Sequence, residues 1–199
     1  MTESIVAGAR AAMPQADIIG WTNHEGPPVI QGPHDGEAAV EGILALLPRA
    51  RGERVEAIII ACFDDTGLAE VRAAAHCPVI GIGQAAMTIA TLYASPFAIV
   101  TTLEVSVPVI TENVTAYGYL QTCTGVFASG LAVLDVEAGG ADVEKQLAKT
   151  IEMARQAGAR SAILGCAGMS HLKPALSTMT RLRLIDGVSA SAHLAGGLR

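Results

Sequence analysis

Charged and aromatic side chains are what this sequence has least of. Charged residues make up 16% and aromatics 4% of its 199 residues, where an average globular chain carries about 25% charged. So little charge, beside 51% hydrophobic residues, excludes a disordered chain and a coiled coil, both of which need many solvated charges. Few aromatics and 21 glycines argue against an aromatic-rich β-sandwich. They suit Ala, Val, Ile and Leu elements joined by small-residue turns.

Positive charge is also scarce. Thirteen Lys and Arg against nineteen Asp and Glu leave a net charge of −6, so there is no basic surface to neutralise phosphates or anionic lipid. A nucleic-acid or membrane partner is not expected. The apolar run at 77–103 is long enough for a membrane span, but Pro78, Gly81, Gly83, Ser95 and Pro96 divide it into shorter elements. No charged segment followed by an apolar one opens the chain, and the expected location is the cytoplasm. The four cysteines, Cys62, Cys77, Cys123 and Cys166, form no CxxC and no zinc-finger spacing with histidine. No metal is expected, and in a reducing compartment all four are thiols.

Apolar periodicity alternates between helix and strand along the whole chain. Helices are predicted at 2–13, 36–47 (closed by Pro48), 66–76 (capped by Thr66), 84–94, 106–116, 142–157, 168–180 and 188–195. Strands are predicted at 16–22, 55–62, 78–82, 97–103, 119–126, 161–165 and 182–186. Such alternation means an α/β fold with mainly parallel sheets and right-handed crossovers. An internal repeat sharpens this. EAIIIACF (56–63) and SAILGCAG (161–168) both run an apolar strand into a cysteine, and the two cysteines are 104 residues apart (166 − 62). The same offset places Gly83 on Gly187, where both glycines are expected in tight turns. Two pseudo-symmetric Rossmann-like lobes follow, 1–95 and 96–186, with the active site in the cleft between them and a terminal helix at 187–199 packing back on the first lobe. In this register the strand at 97–103 has its counterpart ahead of residue 1. The first lobe is expected to lack its first strand here, and Met1 to be an internal methionine of a longer sequence.

Ligands of open α/β sheets bind at the carboxyl ends of strands, where helix N-termini present N–H groups. Cys62 and Cys166 stand at that point in both halves, where a helix N-terminus is expected to lower thiol pKa. Two thiols facing across a cleft suit a racemase without a cofactor, which takes a proton from one face of a carbon and returns one to the other.

The blocks ACFDDTGL (61–68), PVIGIGQAAM (78–87), VTTL (100–103), LGCAGM (164–169) and IDGVSASAHLA (185–195) together resemble the aspartate/glutamate/hydantoin racemase superfamily, its hydantoin and allantoin racemase branch in particular. The resemblance covers nearly the whole chain. It implies a racemase of 5-substituted hydantoins or an allantoin-like ring, acting without a cofactor as a homo-oligomer, with Cys62 and Cys166 as its two acid/base groups. It also implies that Phe63, Asp64, Thr101, Thr102, Ala167 and Gly168 line the substrate pocket, several through backbone atoms. Family members usually open with a strand running into an Asn-Pro-Asn-Thr segment, and this chain begins just after that place. Asp64 and Thr66 stand where Gly and Pro are more usual, and Gln84 where Glu is expected. A carboxylate at Asp64 opposes a thiolate at Cys62.

Other readings remain. An aspartate or glutamate racemase would need a cation in the cleft, and the cysteine and threonine blocks contain none, which favours a neutral or imide-like ring; Arg72, Lys173 and Arg181 are the cations within reach. GIGQAA (81–86) satisfies a loose dinucleotide-binding fingerprint, the basis of an NAD-binding alternative. A cysteine hydrolase would need a histidine base. His171 and His193 are the candidates downstream, while His24 and His34 lie in the loop between 22 and 36, a cleft cover or an ordinary surface loop.

Overall fold

The computed structural model describes residues 1–93 and 95–198. Ala94, at the end of the predicted helix 84–94, and Arg199, at the end of the terminal segment, lie outside the described residues. The elements follow in the order α1 (Thr2–Ala12), α2 (Pro33–Ala45), α3 (Leu47–Gly52), β1 (Ile58–Ile60), α4 (Leu68–Ala74), β2 (Val79–Gly81) and α5 (Ile82–Thr91). Next come β3 (Phe97–Thr101), a 3-10 turn (Glu104–Ser106), α6 (Val107–Ala116), β4 (Cys123–Ala128), α7 (Val133–Ala138), α8 (Ala141–Gln156) and β5 (Ser161–Leu164). A second 3-10 segment (Ala167–Leu172), α9 (Lys173–Met179), β6 (Arg183–Asp186) and α10 (Gly187–Gly197) complete the chain.

Among the described residues β1 and β2 form a two-stranded parallel sheet within 1–95, and a four-stranded parallel sheet in the order β4-β3-β5-β6 lies within 96–186. β3 is central and buried on both faces. Phe97 and Ile99 enter one core with Ile163, Ile185 and Met87, while Ala98 and Val100 enter another with Leu147, Ile151 and Leu164. That two-sided burial explains why its sequence is continuously apolar. The first of these cores also takes Ala9, Phe63, Ile82 and Val188, so one apolar interior spans both sheets. α8 is the amphipathic counter-case, burying Leu147, Thr150, Ile151 and Ala154 on one face.

The two lobes meet through small residues. α10 packs on α5 and α1, and the buried faces of α5 and α10 are rich in alanine, with Ala85, Ala86 and Ala90 on one and Ala190, Ala192 and Ala195 on the other. Gly83 and Gly187, which the repeat equates, serve close approach here and not a turn conformation, for neither has positive φ. A Cβ on Gly187 would lie 2.6 Å from the Ile82 carbonyl oxygen, and one on Gly83 would collide with that of Phe63.

Three sequence expectations are corrected. The segment 16–22 forms no strand, because no ladder partner lies beside it among the described residues. Pro48 does not close a helix but opens α3, its missing N–H falling in a first turn where no intrahelical partner exists. Thr66 does not cap α4; Gly67 occupies that position in left-handed conformation. The apolar run at 77–103 resolves into β2, α5 and β3, and no helix among the described residues is long and apolar enough to cross a membrane. Replacing Gly187 by Ala forces two backbones apart in a packed interface. The expected loss is about 1–3 kcal/mol, read from the midpoint of urea unfolding.

Candidate functional site

The segment after β1 makes two tight turns. Asp65 N–H donates to the Cys62 carbonyl at 3.0 Å and Leu68 N–H to the Asp65 carbonyl at 3.0 Å. Asp65 takes φ +52° and Gly67 φ +69° to make this path. The Asp65 side chain holds it. Its carboxylate accepts from Gly83 N–H (2.9 Å), Gln84 N–H (2.7 Å) and the Tyr117 hydroxyl (2.8 Å), tying the loop to the first turn of α5 and to the end of α6. Asn113 of α6 adds a bond from its side-chain amide to the Asp64 carbonyl at 2.8 Å. Cys62 opens this loop, and the Thr66 hydroxyl donates to its Sγ at 3.4 Å.

The second half-site follows β5. Gly165 N–H donates to the Val100 carbonyl at 2.8 Å and Thr101 Oγ1 to the Gly165 carbonyl at 3.3 Å, which locks β5 beside β3 at its carboxyl end. Cys166 then stands immediately ahead of the 3-10 segment, in extended backbone, and the Gly168 N–H points a hydrogen bond at its sulfur. Glu137 of α7 closes this side. It pairs with the amino group of Met1 at 3.0 Å and accepts from Ser4 at 2.8 Å, while its other carboxylate oxygen is buried without a partner.

The lobes bring the two cysteines together, close enough for a charge on Cys166 to act on Cys62. Both are largely surrounded by protein and keep part of their surface exposed. The expected lowering of their pKa by helix ends is not found. Burial pushes the Cys62 thiol up to about 12, helped by the Asp64 charge, and the Cys166 thiol up to about 11, helped by Asp64 and Glu137. The donors that favour a thiolate, Thr66 and the Asp64 N–H at Cys62 and the Gly168 N–H at Cys166, offset this only in part. Burial, then the Asp65 charge, lifts Asp64 to about 6. Asp65 is lifted to about 6 by burial against the pull of its hydrogen bonds and Arg72.

The pocket residues named by the resemblance separate into two groups. Asp64 lies partly open beside both thiols, and Gly168 lies against Cys166, a Cβ there standing 3.7 Å from its sulfur. Phe63 and Ala167 bury their side chains in the shared core, and Thr101 and Thr102 are also buried. The side chains of these four are buried and present little surface to a ligand. Tyr117, Asn113 and Glu137 lie beside these groups and were not singled out from the sequence, and Thr66 was read there only as a helix cap and a departure from the family pattern. Their only sequence signal is polarity within otherwise apolar elements, and their partners are 4 to 133 residues distant.

The dinucleotide fingerprint is filled from within. The Asp65 carboxylate occupies the two N–H groups that open α5, and a Cβ on either Gly81 or Gly83 would meet it, so a pyrophosphate has no donors there. His24, His34, His171 and His193 are exposed, and His193 is bound to the Ser189 carbonyl. Among the described residues no histidine hydrogen-bonds either thiol, and no three His, Cys, Asp or Glu side chains group as metal ligands. The end of the loop before α2 does reach the site. Gly32, Pro33 and Gly36 line a 260 Å³ cavity with Asp64 and Thr66, and its only charged lining residues are acidic. Arg72 is turned toward the Val79 carbonyl (2.9 Å) and Gln84 (2.6 Å).

Asp64 gives a pH test. Its folded-state pKa of about 6 exceeds the ordinary 3.8, so the folded protein holds the proton more tightly. Its stabilising share is complete below about pH 4 and is lost as pH rises through 6. Asp64→Asn is therefore expected to raise Tm relative to the parent at pH 7.5 and to leave the two nearly equal at pH 4, measured by thermal unfolding.

The sequence profile of the Asp/Glu/hydantoin racemase family matches residues 1–195. A hydantoin racemase of Rhizobium meliloti is 42% identical over 173 residues, covering 86% of this chain and 72% of that protein. The allantoin racemase of Klebsiella pneumoniae superposes with a TM-score of 0.93 at 35% identity, over 99% of this chain and 81% of that one. A glutamate racemase of Bacillus anthracis shares the fold alone, with a TM-score of 0.76 at 17% identity over 98% of this chain and 76% of that one. With its two α/β sheets and a cysteine at the end of an equivalent strand in each, the chain belongs to the Asp/Glu/hydantoin racemase family and is an isomerase of that kind.

Proposed function

We propose that this protein racemises a 5-substituted hydantoin or an allantoin-like ring, with Cys62 and Cys166 as its two acid/base groups and no cofactor. The observation that carries the reading is the placement of a thiol beyond the carboxyl end of β1 and another beyond that of β5, each partly exposed and near enough for a charge on Cys166 to act on Cys62. In one direction the thiolate of one cysteine takes the proton on the ring carbon, leaving an enolate. The thiol of the other gives its proton to the opposite face, and the reverse reaction exchanges their roles. Burial holds both groups as neutral thiols at rest.

Two features support a ring over an amino acid. The carboxylates of Asp64 and Glu137 act on the thiols, and the 260 Å³ cavity lined by Asp64 adds Asp65, Glu37 and Glu70 without a cation. A dicarboxylate would meet repulsion there, while an imide N–H meets acceptors. The relatives named hydantoin and allantoin racemase agree with this.

The test is incubation of single enantiomers of several 5-substituted hydantoins, allantoin, aspartate and glutamate in D2O. Optical rotation is expected to decay with deuterium entering at the stereocentre of a hydantoin or of allantoin, and not with the amino acids. Retained rotation in every case would overturn the reading. Cys62→Ser and Cys166→Ser are each expected to lower racemisation by at least about 100-fold, the lower end of what one positioned acid/base group contributes. A variant retaining near-parental turnover would exclude a two-thiol mechanism.

A further inference from the structure

Two adjacent acids follow Cys62, and the fold uses only one of them. Asp65 spends its carboxylate on three donors. Asp64, at a position where Gly is more usual in similar sequences, is held by its backbone instead: its N–H points a hydrogen bond at the Cys62 sulfur, and its carbonyl accepts from the Asn113 side chain at 2.8 Å. The Asp64 carboxylate is half-buried and has no hydrogen-bond or ion-pair partner among the described residues. It lines the 260 Å³ cavity, and its charge acts on both Cys62 and Cys166. A fixed backbone thus presents an unmatched acceptor beside the space that the two thiols flank.

What that acceptor meets follows from the chemistry of the ring. A carbon that exchanges its proton with two thiols lies between them, one on each face. A carboxylate near both sulfurs therefore stands at the edge of the ring and not over a face. In a hydantoin the reacting carbon has two ring neighbours, a carbonyl carbon and an N–H. The carbonyl oxygen gathers negative charge as the proton leaves, and a carboxylate beside it would oppose the reaction by like-charge repulsion. The N–H is the donor that the carboxylate lacks. Only the orientation that puts the N–H edge toward Asp64 avoids the repulsion and supplies the missing bond.

We infer that Asp64 is a specificity-determining residue, whose carboxylate accepts the N–H bonded to the reacting carbon and turns the adjacent ring carbonyl away from itself. The substrate class narrows to rings with an N–H on that carbon, which hydantoins carry in the ring and allantoin carries both in the ring and on its ureido arm. Accepting the N–H also draws on a charge that otherwise opposes a thiolate at either cysteine. The inference rests on the racemase reading for the placement of the ring between the thiols, and its readout is binding, so the two fail separately.

The probes are hydantoin, 1-methylhydantoin and 3-methylhydantoin, achiral rings whose binding to the full chain is measured by calorimetry at pH 8. Only 1-methylhydantoin lacks the N–H on the carbon that reacts in a substituted ring. The parent is expected to bind it at least about 10-fold more weakly than the other two, the lower end for a hydrogen bond to a charged group. Asp64→Asn, which keeps the size and loses the charge, and Asp64→Gly are each expected to lose most of that preference by binding hydantoin and 3-methylhydantoin more weakly, with thermal unfolding as the check that each variant is folded. Equal binding of all three rings by the parent would overturn the inference, as would unchanged affinity for hydantoin in both variants. A preference lost only because 1-methylhydantoin binds better to Asp64→Gly would make Asp64 a steric filter, and would overturn it too. The expected preference without racemisation of any 5-substituted hydantoin would overturn the racemase reading alone, and a parent that binds none of the rings would overturn both.

Discussion

The buried carboxylate of Asp65 is the constraint on which the candidate site depends. A carboxylate taken out of water survives only if its oxygens are met by donors, and here three donors come from two places: two N–H groups at the start of α5 and the phenol of Tyr117 at the end of α6. Satisfying one side chain therefore fixes the loop after β1 against both lobes. Cys62, Asp64 and Thr66 are carried in that loop, so the position of the first thiol, its neighbouring charge and its hydroxyl donor all follow. The same bonds absorb the helix-end donors that a phosphate ligand would need.

Each lobe carries its cysteine just after an equivalent strand, but the two half-sites are not alike. Cys62 meets a hydroxyl and a carboxylate from its own loop, whereas Cys166 meets a backbone N–H and the carboxylate of Glu137 from another element. For a racemase this asymmetry has a bounded effect. Mirror-image substrates have equal free energy, so kcat/KM is the same in both directions however the two thiols differ. Unequal thiols alter only how that ratio divides between kcat and KM.

Much of this was legible in the sequence, and the reasons are local. The apolar run of β3 and the repeated strand-to-cysteine segments identify parallel α/β lobes, because two-sided burial and strand-end chemistry leave their mark within a few neighbouring residues. Asp64 could be read as an opponent of the Cys62 thiolate because the two are adjacent but one. Thr66 could not be read correctly. A threonine ahead of a helix is an ordinary cap, and only the left-handed turn at Gly67 frees its hydroxyl for the sulfur. Pro48 was misleading for a related reason, since proline ends one helix and begins another with equal ease.

The sequence by itself determined the alternation of elements, the two equivalent cysteines and the poverty of cations around them, all of which are properties of composition and spacing. Tertiary structure alone decided the ionisation of the thiols, which depends on burial and on groups from other elements. It also decided the pairing of Asp65 with Tyr117 and the approach of Glu137 to the second half-site. Desolvation and hydrogen bonding act through space, and partners as distant along the chain as Ser4 and Glu137 become neighbours only after folding.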